Sequence, residues 1–351
     1  MAINLASKYS GKIAEKFTKE SFVAGNASKE YDFAGVRSIS VYTPVTVDLN
    51  DYKRSGKDRF GETIEMEDTV QEMELTQDKG FSISIDRGNN VDQMNIKGAG
   101  RMLNLQIREK VVPFMDRYTI EKWSKDAGQI AELSAAPTKD TIVGSIFDGA
   151  TALDNALVPD ADRYMYLPSA YYNMLRLSKE FLAVDNLAEK SLTKGLVGMV
   201  ADMKVIKVPD SYFPDGLYFM ITHKRSVLNP NKIKTMRILS DVQGIDGNVL
   251  EGRTYFDAFV VGAKADGVYS AVADGKQTAL PVIGLSEASA TITAVPGVTF
   301  YYTVDGTDPR YSKSAQVYSS AVTLTSGQTM KAYGKKAGEF PSGVSEKTYT
   351  A

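Results

Sequence analysis

The chain contains no cysteine and a single histidine among its 351 residues. Those two absences exclude disulfide frameworks, thiolate nucleophiles, Cys/His zinc sites and Cys-ligated iron–sulfur clusters. Net charge is nearly absent too: 41 basic residues offset 43 acidic ones, leaving -2, so the basic excess of a tight polyanion binder is missing. No run approaches the ~18 apolar residues that span a bilayer, and no membrane partner is expected. Met1 to Tyr9 has neither a basic segment nor an apolar core of the secretory kind, which leads us to expect a chain that starts in the cytosol. What the chain does have is length for two or three domains, each with its own core, and an ordinary hydrophobic fraction of 43%.

Motifs that carry chemistry are as sparse. A serine triad would have to use His223, which lies in His223-Lys224-Arg225 with no carboxylate near in sequence. Gly98-Ala99-Gly100 is a fragment of a dinucleotide fingerprint, but it falls inside a helical pattern and follows no strand. Asp241 to Glu251 has the outline of a calcium loop, yet Gln243 and Ile245 stand where oxygen ligands are needed, leaving a turn at Asp246-Gly247. We therefore expect no enzyme, no cofactor and no metal site.

Periodicity supplies the architecture. Leu5, Tyr9, Ile13 and Phe17 recur every fourth place, predicting a short amphipathic helix on an N-terminal arm, residues 1–44. In residues 45–90 a basic group, Lys53, Arg54, Lys57 and Arg59, is followed by an acidic row, Glu62, Glu65, Glu67, Asp68, Glu72 and Glu74. Met73 and Leu75 alternate up to Gln77-Asp78-Lys79-Gly80, read as a turn, and Phe81, Ile83 and Ile85 alternate after it. The expected product is a long two-stranded ribbon with one apolar face. Such a ribbon is marginal alone, so its face calls for a neighbouring subunit.

Between residues 91 and 136, Ile96, Ala99, Leu103, Ile107, Val111, Phe114 and Tyr118 continue in helical steps to Trp123, one helix of roughly 30 residues and ~45 Å. Pro113 lies inside it and crowds the carbonyl of Glu109, so the helix should bend or break there. Trp123 reads as core. Across residues 137–275, helical spacing at Thr141–Leu157 and Ser169–Phe181 alternates with strand-like Arg163–Leu167, Met203–Val208, Leu217–Thr222 and Tyr255–Val261. Strands so far apart in sequence predict an α+β body with a mixed sheet.

After Ala273 to Pro281 the composition shifts to Ser, Thr, Tyr, Val and Gly. Strand-like Val298–Val304 and Thr329–Tyr333, with turns at Asp305-Gly306 and Ser326-Gly327, predict a small all-β sandwich over residues 281–351. Its segment Tyr301 to Pro309 (YYTVDGTDP), with Lys331-Ala332-Tyr333, resembles the immunoglobulin-like domain at the C-terminal end of chitobiases and β-hexosaminidases. That resemblance implies a surface appendage without catalysis, projecting outward. It makes Tyr301 and Tyr302 candidate glycan contacts of a weak, many-copy kind.

The order of parts, arm, charged loop, long bent helix and α+β body ending in Tyr255 to Val261, resembles a tailed-phage major capsid protein of the Hong Kong 97 type. Arg163 to Pro168 (RYMYLP), Gly198 to Val208, Ile221 to Pro230 and Gly262 to Val268 are the local segments that carry it. The resemblance implies a virion protein that assembles with itself into hexamers and pentamers of an icosahedral shell around double-stranded DNA. The arm begins at Met1, which leads us to expect a separate scaffolding protein; a portal and non-specific contact with packaged DNA complete the implied partners. The basic group of one subunit would face the acidic row of another, and the apolar face of Met73, Leu75, Phe81, Ile83 and Ile85 would find its cover there. Each exposed ion pair contributes only ~0 to 1 kcal/mol, so charge would set register while apolar burial supplies affinity. Two alternatives stand beside this reading: a carbohydrate-binding accessory protein of a polysaccharide-degrading system, and an encapsulin-like compartment shell.

Overall fold

The structure is a computed structural model, described for residues 21–31, 33, 36–46, 49–57, 59–61, 63, 65, 68–92, 97–179, 198–240 and 242–351. The expected arm helix from Leu5 to Phe17, the helix start at Ile96 and the helix end at Phe181 lie outside these residues. Two compact units divide the chain: Met1–Arg37, Leu75–Val260 and Asp266–Asp274 form the first, and Ser38–Glu74, Val261–Ala265 and Gly275–Ala351 the second. Strands β1 (Ser38–Pro44) and β2 (Asp68–Glu74) belong to the second unit and pair antiparallel with each other, Ser38 opposite Glu74.

The first unit runs through β3 (Gln77–Asp86), α1 (Arg87–Asp92), α2 (Ala99–Gln106), α3 (Val112–Lys125), β4 (Gln129–Leu133), α4 (Ile142–Asn155), β5 (Arg163–Pro168) and α5 (Ser169–Arg176). It continues with β6 (Met199–Val200), β7 (Met203–Val208), β8 (Leu217–His223), β9 (Val227–Leu228), β10 (Asn231–Ser240), β11 (Gly247–Phe256), β12 (Phe259–Val260) and β13 (Val268–Ala273). Its centre is a six-stranded sheet in the order β4-β13-β8-β5-β7-β6. The β4–β13 and β5–β7 pairs are parallel and the others antiparallel, the mixed sheet the sequence predicts.

Strand β5 is buried at all six residues, as expected of a strand covered on both faces. Met165 and Leu167 join Ile142, Ile146 and Leu153 of α4 in the core on one side. On the other, Tyr166 meets Trp123 of α3 at 6.4 Å between ring centroids. Trp123 is wholly buried, and its indole N–H donates to the Leu228 carbonyl at 3.1 Å, so the core reading of this residue holds.

Pro113 produces neither a break nor a simple kink. Residues 99–125 form one continuous helical run in which a π-helical turn, Ile107–Val111, joins α2 to α3 just before the proline. Proline has no amide to donate and its ring crowds the carbonyl four residues back; one wide turn relieves both constraints without ending the helix. Gly98 is the N-cap of this run and Ala99-Gly100 are its first two helical residues, so the segment opens the helix.

Two expectations about strands are corrected. Gln77 to Gly80 is not a turn: it is the first part of β3, which pairs with β11 and not with β2. The three-stranded sheet β10-β11-β3 brings Gly80 opposite Arg253 across more than 170 residues of chain, and sequence-local pattern reading has no access to such a partner. The expected strand Tyr255–Val261 is interrupted at Asp257. Its buried carboxylate turns aside to accept from the Thr76 amide (2.7 Å), the Thr76 hydroxyl (2.8 Å), the Tyr118 hydroxyl (2.8 Å) and the Ala258 amide (2.8 Å). Burial and this carboxylate together push the Tyr118 phenol up to about 12.

The second unit ends in β14 (Ile283–Ser286), β15 (Ser289–Ile292), β16 (Val298–Thr303), β17 (Gln316–Val317), β18 (Val322–Thr323), β19 (Thr329–Lys336) and β20 (Ser345–Thr348). They form two antiparallel sheets, β14-β15-β18 and β17-β16-β19-β20. Ala290, Ile292, Phe300, Leu324, Met330 and Ala332 fill the space between, giving the all-β sandwich predicted from the composition shift.

Candidate assembly surfaces

The basic group lies on the loop that joins β1 to β2. Within it the Lys53 amide donates to the Arg59 carbonyl at 2.9 Å, and the Arg59 guanidinium donates to the Gly56 carbonyl at 3.2 Å, closing a turn. Lys53, Arg54, Lys57 and Arg59 are all exposed on it. Tyr52 and Phe60 stack edge-to-face at 5.0 Å across its neck, and Phe60 remains 82% exposed.

The acidic row is only partly placed. Glu62 and Glu67 lie outside the described residues, and Glu65 is exposed. Asp68, Glu72 and Glu74 alternate along β2 and share one face with Tyr42 of β1. Glu72 already has an intrachain cation: Lys313 approaches it at 2.9 Å. That pair holds the Glu72 carboxyl below its ordinary range and the Lys313 ammonium above its own.

The expected apolar face is not one face. Met73 lies on β2 and Phe81, Ile83 and Ile85 on β3, in two different sheets. Met73, Leu75 and Ile85 are buried within the chain, so they need no outside cover. Only Ile83 is exposed, and Phe81 is half-buried. Phe81 packs over Gly252 of β11 and borders a hollow of about 400 Å³ shared with Lys110, Val111, Phe114 and Phe256. The sequence pattern gave no signal for this hollow, because β11 and the π-helical turn that line it are far apart in the chain.

At the other end of the described chain, Asp116 of α3 fastens the end of the arm. Its carboxylate accepts from the Ser21 hydroxyl at 2.6 Å and the Phe22 amide at 2.9 Å. Burial pushes this acid above the usual aspartate range despite both donors.

In the C-terminal sandwich the two tyrosines separate. Tyr302 packs towards the core against Tyr318, its hydroxyl donating to Gln316 at 3.0 Å. Tyr301 lies on the opposite face of β16 and stacks on Tyr333 of β19, 5.3 Å between centroids at 22°. Rings stacked this closely cover one face of each other, which leaves mainly edges and hydroxyls for an outside molecule.

His223 is buried, and desolvation pushes its imidazole below the ordinary range; Nδ1 accepts from the Arg225 amide at 3.3 Å. It closes the end of β8. Among the described residues no group of three His, Asp or Glu side chains lies close enough to hold a metal ion, and no helix is long and apolar enough to cross a membrane.

No curated protein matches the chain. The model of the Fn3 associated family matches residues 290–349, within the C-terminal sandwich. Solved structures match about three quarters of the chain. A chain from Mycobacterium phage Che8, 18% identical, superposes with a TM-score of 0.60 over 76% of this chain and 96% of its own. The capsid structure of cyanophage P-SCSP1u gives 12% identity and 0.64 over 76% and 92%. The mature capsid of bacteriophage PhiM1 gives 11% and 0.62 over 77% and 92%. The chain has the Hong Kong 97 type capsid fold of tailed phages, joined to an immunoglobulin-like C-terminal domain.

Proposed function

We propose that the chain is the major capsid protein of a tailed bacteriophage, a structural component of the virion that assembles with itself into hexamers and pentamers of an icosahedral shell enclosing double-stranded DNA. The supporting observation is the likeness in fold, which takes in 92 to 96% of each of the three phage chains above. Nothing in the composition favours an enzyme: cysteine is absent and the single histidine is committed to a strand end. A near-neutral chain suits a container, since a strongly basic lining would hold packaged DNA by many phosphate contacts. A separate scaffolding protein and a portal complete the proposed partners, and a weak glycan contact through the outer Tyr301 edge remains part of the proposal.

The basic loop, Lys53 to Arg59, is the proposed contact with the exposed carboxylates of a neighbouring copy. Among the described carboxylates Glu65 and Asp68 are proposed for that role, while Glu72 is engaged within its own chain. Sedimentation velocity of the purified full chain, from low to high concentration and in rising salt, tests both levels. The wild type is expected to form capsomers or larger particles, and replacing Lys53, Arg54, Lys57 and Arg59 by Glu is expected to lower the assembled fraction about tenfold. A wild type that stays monomeric at every concentration, both alone and with its scaffolding partner, contradicts the capsid reading. Equal assembly of wild type and variant contradicts the role given to the loop.

A further inference from the structure

The second unit joins three segments distant in sequence: the β1–β2 ribbon, the short stretch Val261–Ala265 and the C-terminal domain. They meet at three successive residues of β2. The Val70 carbonyl accepts from the Lys313 amide at 3.0 Å, the Gln71 side-chain oxygen from the Gly262 amide at 2.7 Å, and the Glu72 carboxylate pairs with the Lys313 ammonium at 2.9 Å. On the open edge of β2, the side that β1 does not pair, the Val70 carbonyl is thus taken by the chain's own C-terminal domain. Gly262 is the tight point: a Cβ there would stand 2.7 Å from Cβ of Tyr311 and 3.3 Å from the Gln71 oxygen.

The segment that reaches β2 is held rigidly. Asp305 accepts from the Thr307 amide (3.0 Å), the Thr307 hydroxyl (2.6 Å) and the Ser314 hydroxyl (2.5 Å), and these bonds hold its carboxyl below the ordinary range. Asp308 accepts from the Arg310 amide (2.9 Å) and guanidinium (2.8 Å), and its carbonyl from the amides of Tyr311 (3.2 Å) and Ser312 (3.0 Å). The Asp-Gly-Thr-Asp-Pro stretch therefore builds a stiff jaw with Tyr311 and Lys313 at its tip.

We propose that the C-terminal domain is a clamp on the root of the β1–β2 loop, whose grip on the β2 edge holds the ribbon in one direction, and that it is not a freely tethered display module. A two-stranded ribbon has little stability of its own and an uncovered strand edge invites pairing with foreign chains; the clamp answers both needs. That it thereby sets the angle at which the loop meets a neighbouring subunit rests on the capsid reading, whereas the clamp itself does not.

Hydrogen–deuterium exchange on the full chain, kept dilute and unassembled, tests the clamp without reference to assembly. Lys313→Glu and Glu72→Lys are each expected to raise amide exchange in β1 and β2 by about two- to five-fold, the range an exposed ion pair supports. The double variant with both charges exchanged is expected to return to within about two-fold of wild type. Gly262→Val, which forces Tyr311 away, is expected to give a larger rise, while β16 and β19 keep wild-type exchange and so report an intact sandwich. Unchanged exchange in β1 and β2 for Lys313→Glu, Glu72→Lys and Gly262→Val, with the sandwich intact, overturns the proposal. If the chain fails to assemble both alone and with its scaffolding partner but exchange follows the expected pattern, the clamp stands and the capsid reading falls.

Discussion

Asp116 has two donors, the Ser21 hydroxyl and the Phe22 amide, yet desolvation outweighs them and lifts its pKa above 3.8. A carboxyl with a raised folded-state pKa contributes stability that is fully present below its unfolded value and is lost as pH rises through the folded one. In Asp116→Asn that titration is gone, and one of the two acceptor positions becomes a donor facing the Phe22 amide. The variant should be less stable by about 1 kcal/mol at the acid end, and the gap should narrow as pH rises from about 4 to 7. Urea denaturation of both proteins at stepped pH measures this; a gap independent of pH contradicts burial as the dominant influence on Asp116. Residue roles of this sort were unevenly legible. Trp123 continued an apolar row and was read as core, but Asp257 was hidden inside a strand-like run, because a buried carboxylate is recognisable only from the donors that converge on it, and Thr76 and Tyr118 are remote in sequence.

The elements that sequence pattern located well are those whose signal is local. The long helix, β5 and β16 each carry their period within a few turns or pleats, and Pro113 marked the place where the helix changes geometry. The elements it missed depend on remote partners. Asn231–Ser240 is interrupted by Lys232, Lys234 and Arg237 and is an edge strand, while β11 contains Gly252, so neither shows a clean alternation. The glycine is there for space: a Cβ at 252 would lie 2.3 Å from the Phe81 ring and 2.6 Å from the Met236 sulfur. Gly252→Ala should therefore cost about 1 to 3 kcal/mol, and placing it in a Phe81→Ala background should remove most of that increment. A double-mutant cycle by chemical denaturation reads the coupling directly. Strict additivity of the two substitutions would mean that Phe81 is not what excludes a side chain at 252.

At the scale of the molecule, the sequence conveyed the order of parts and the composition change after residue 273, and those sufficed for the fold class. It did not convey how the parts are grouped. The ribbon and the C-terminal domain, separated by about 200 residues, form one unit through Val70, Gln71 and Glu72, so the immunoglobulin-like sandwich is built into the chain and not merely appended. The same grouping explains why the expected single apolar ribbon face divided into residues of two sheets. The absence of cysteine excludes disulfides from any assembly, and repetition over many copies is how individually weak contacts such as packing and ion pairs become durable. The most direct test is electron cryomicroscopy of the particles formed by the full chain, alone and when co-expressed with the proteins encoded beside it. Closed shells with icosahedral symmetry, built of hexamers and pentamers of this chain, are the predicted result; a chain that yields only monomers or irregular aggregates under both conditions contradicts the account.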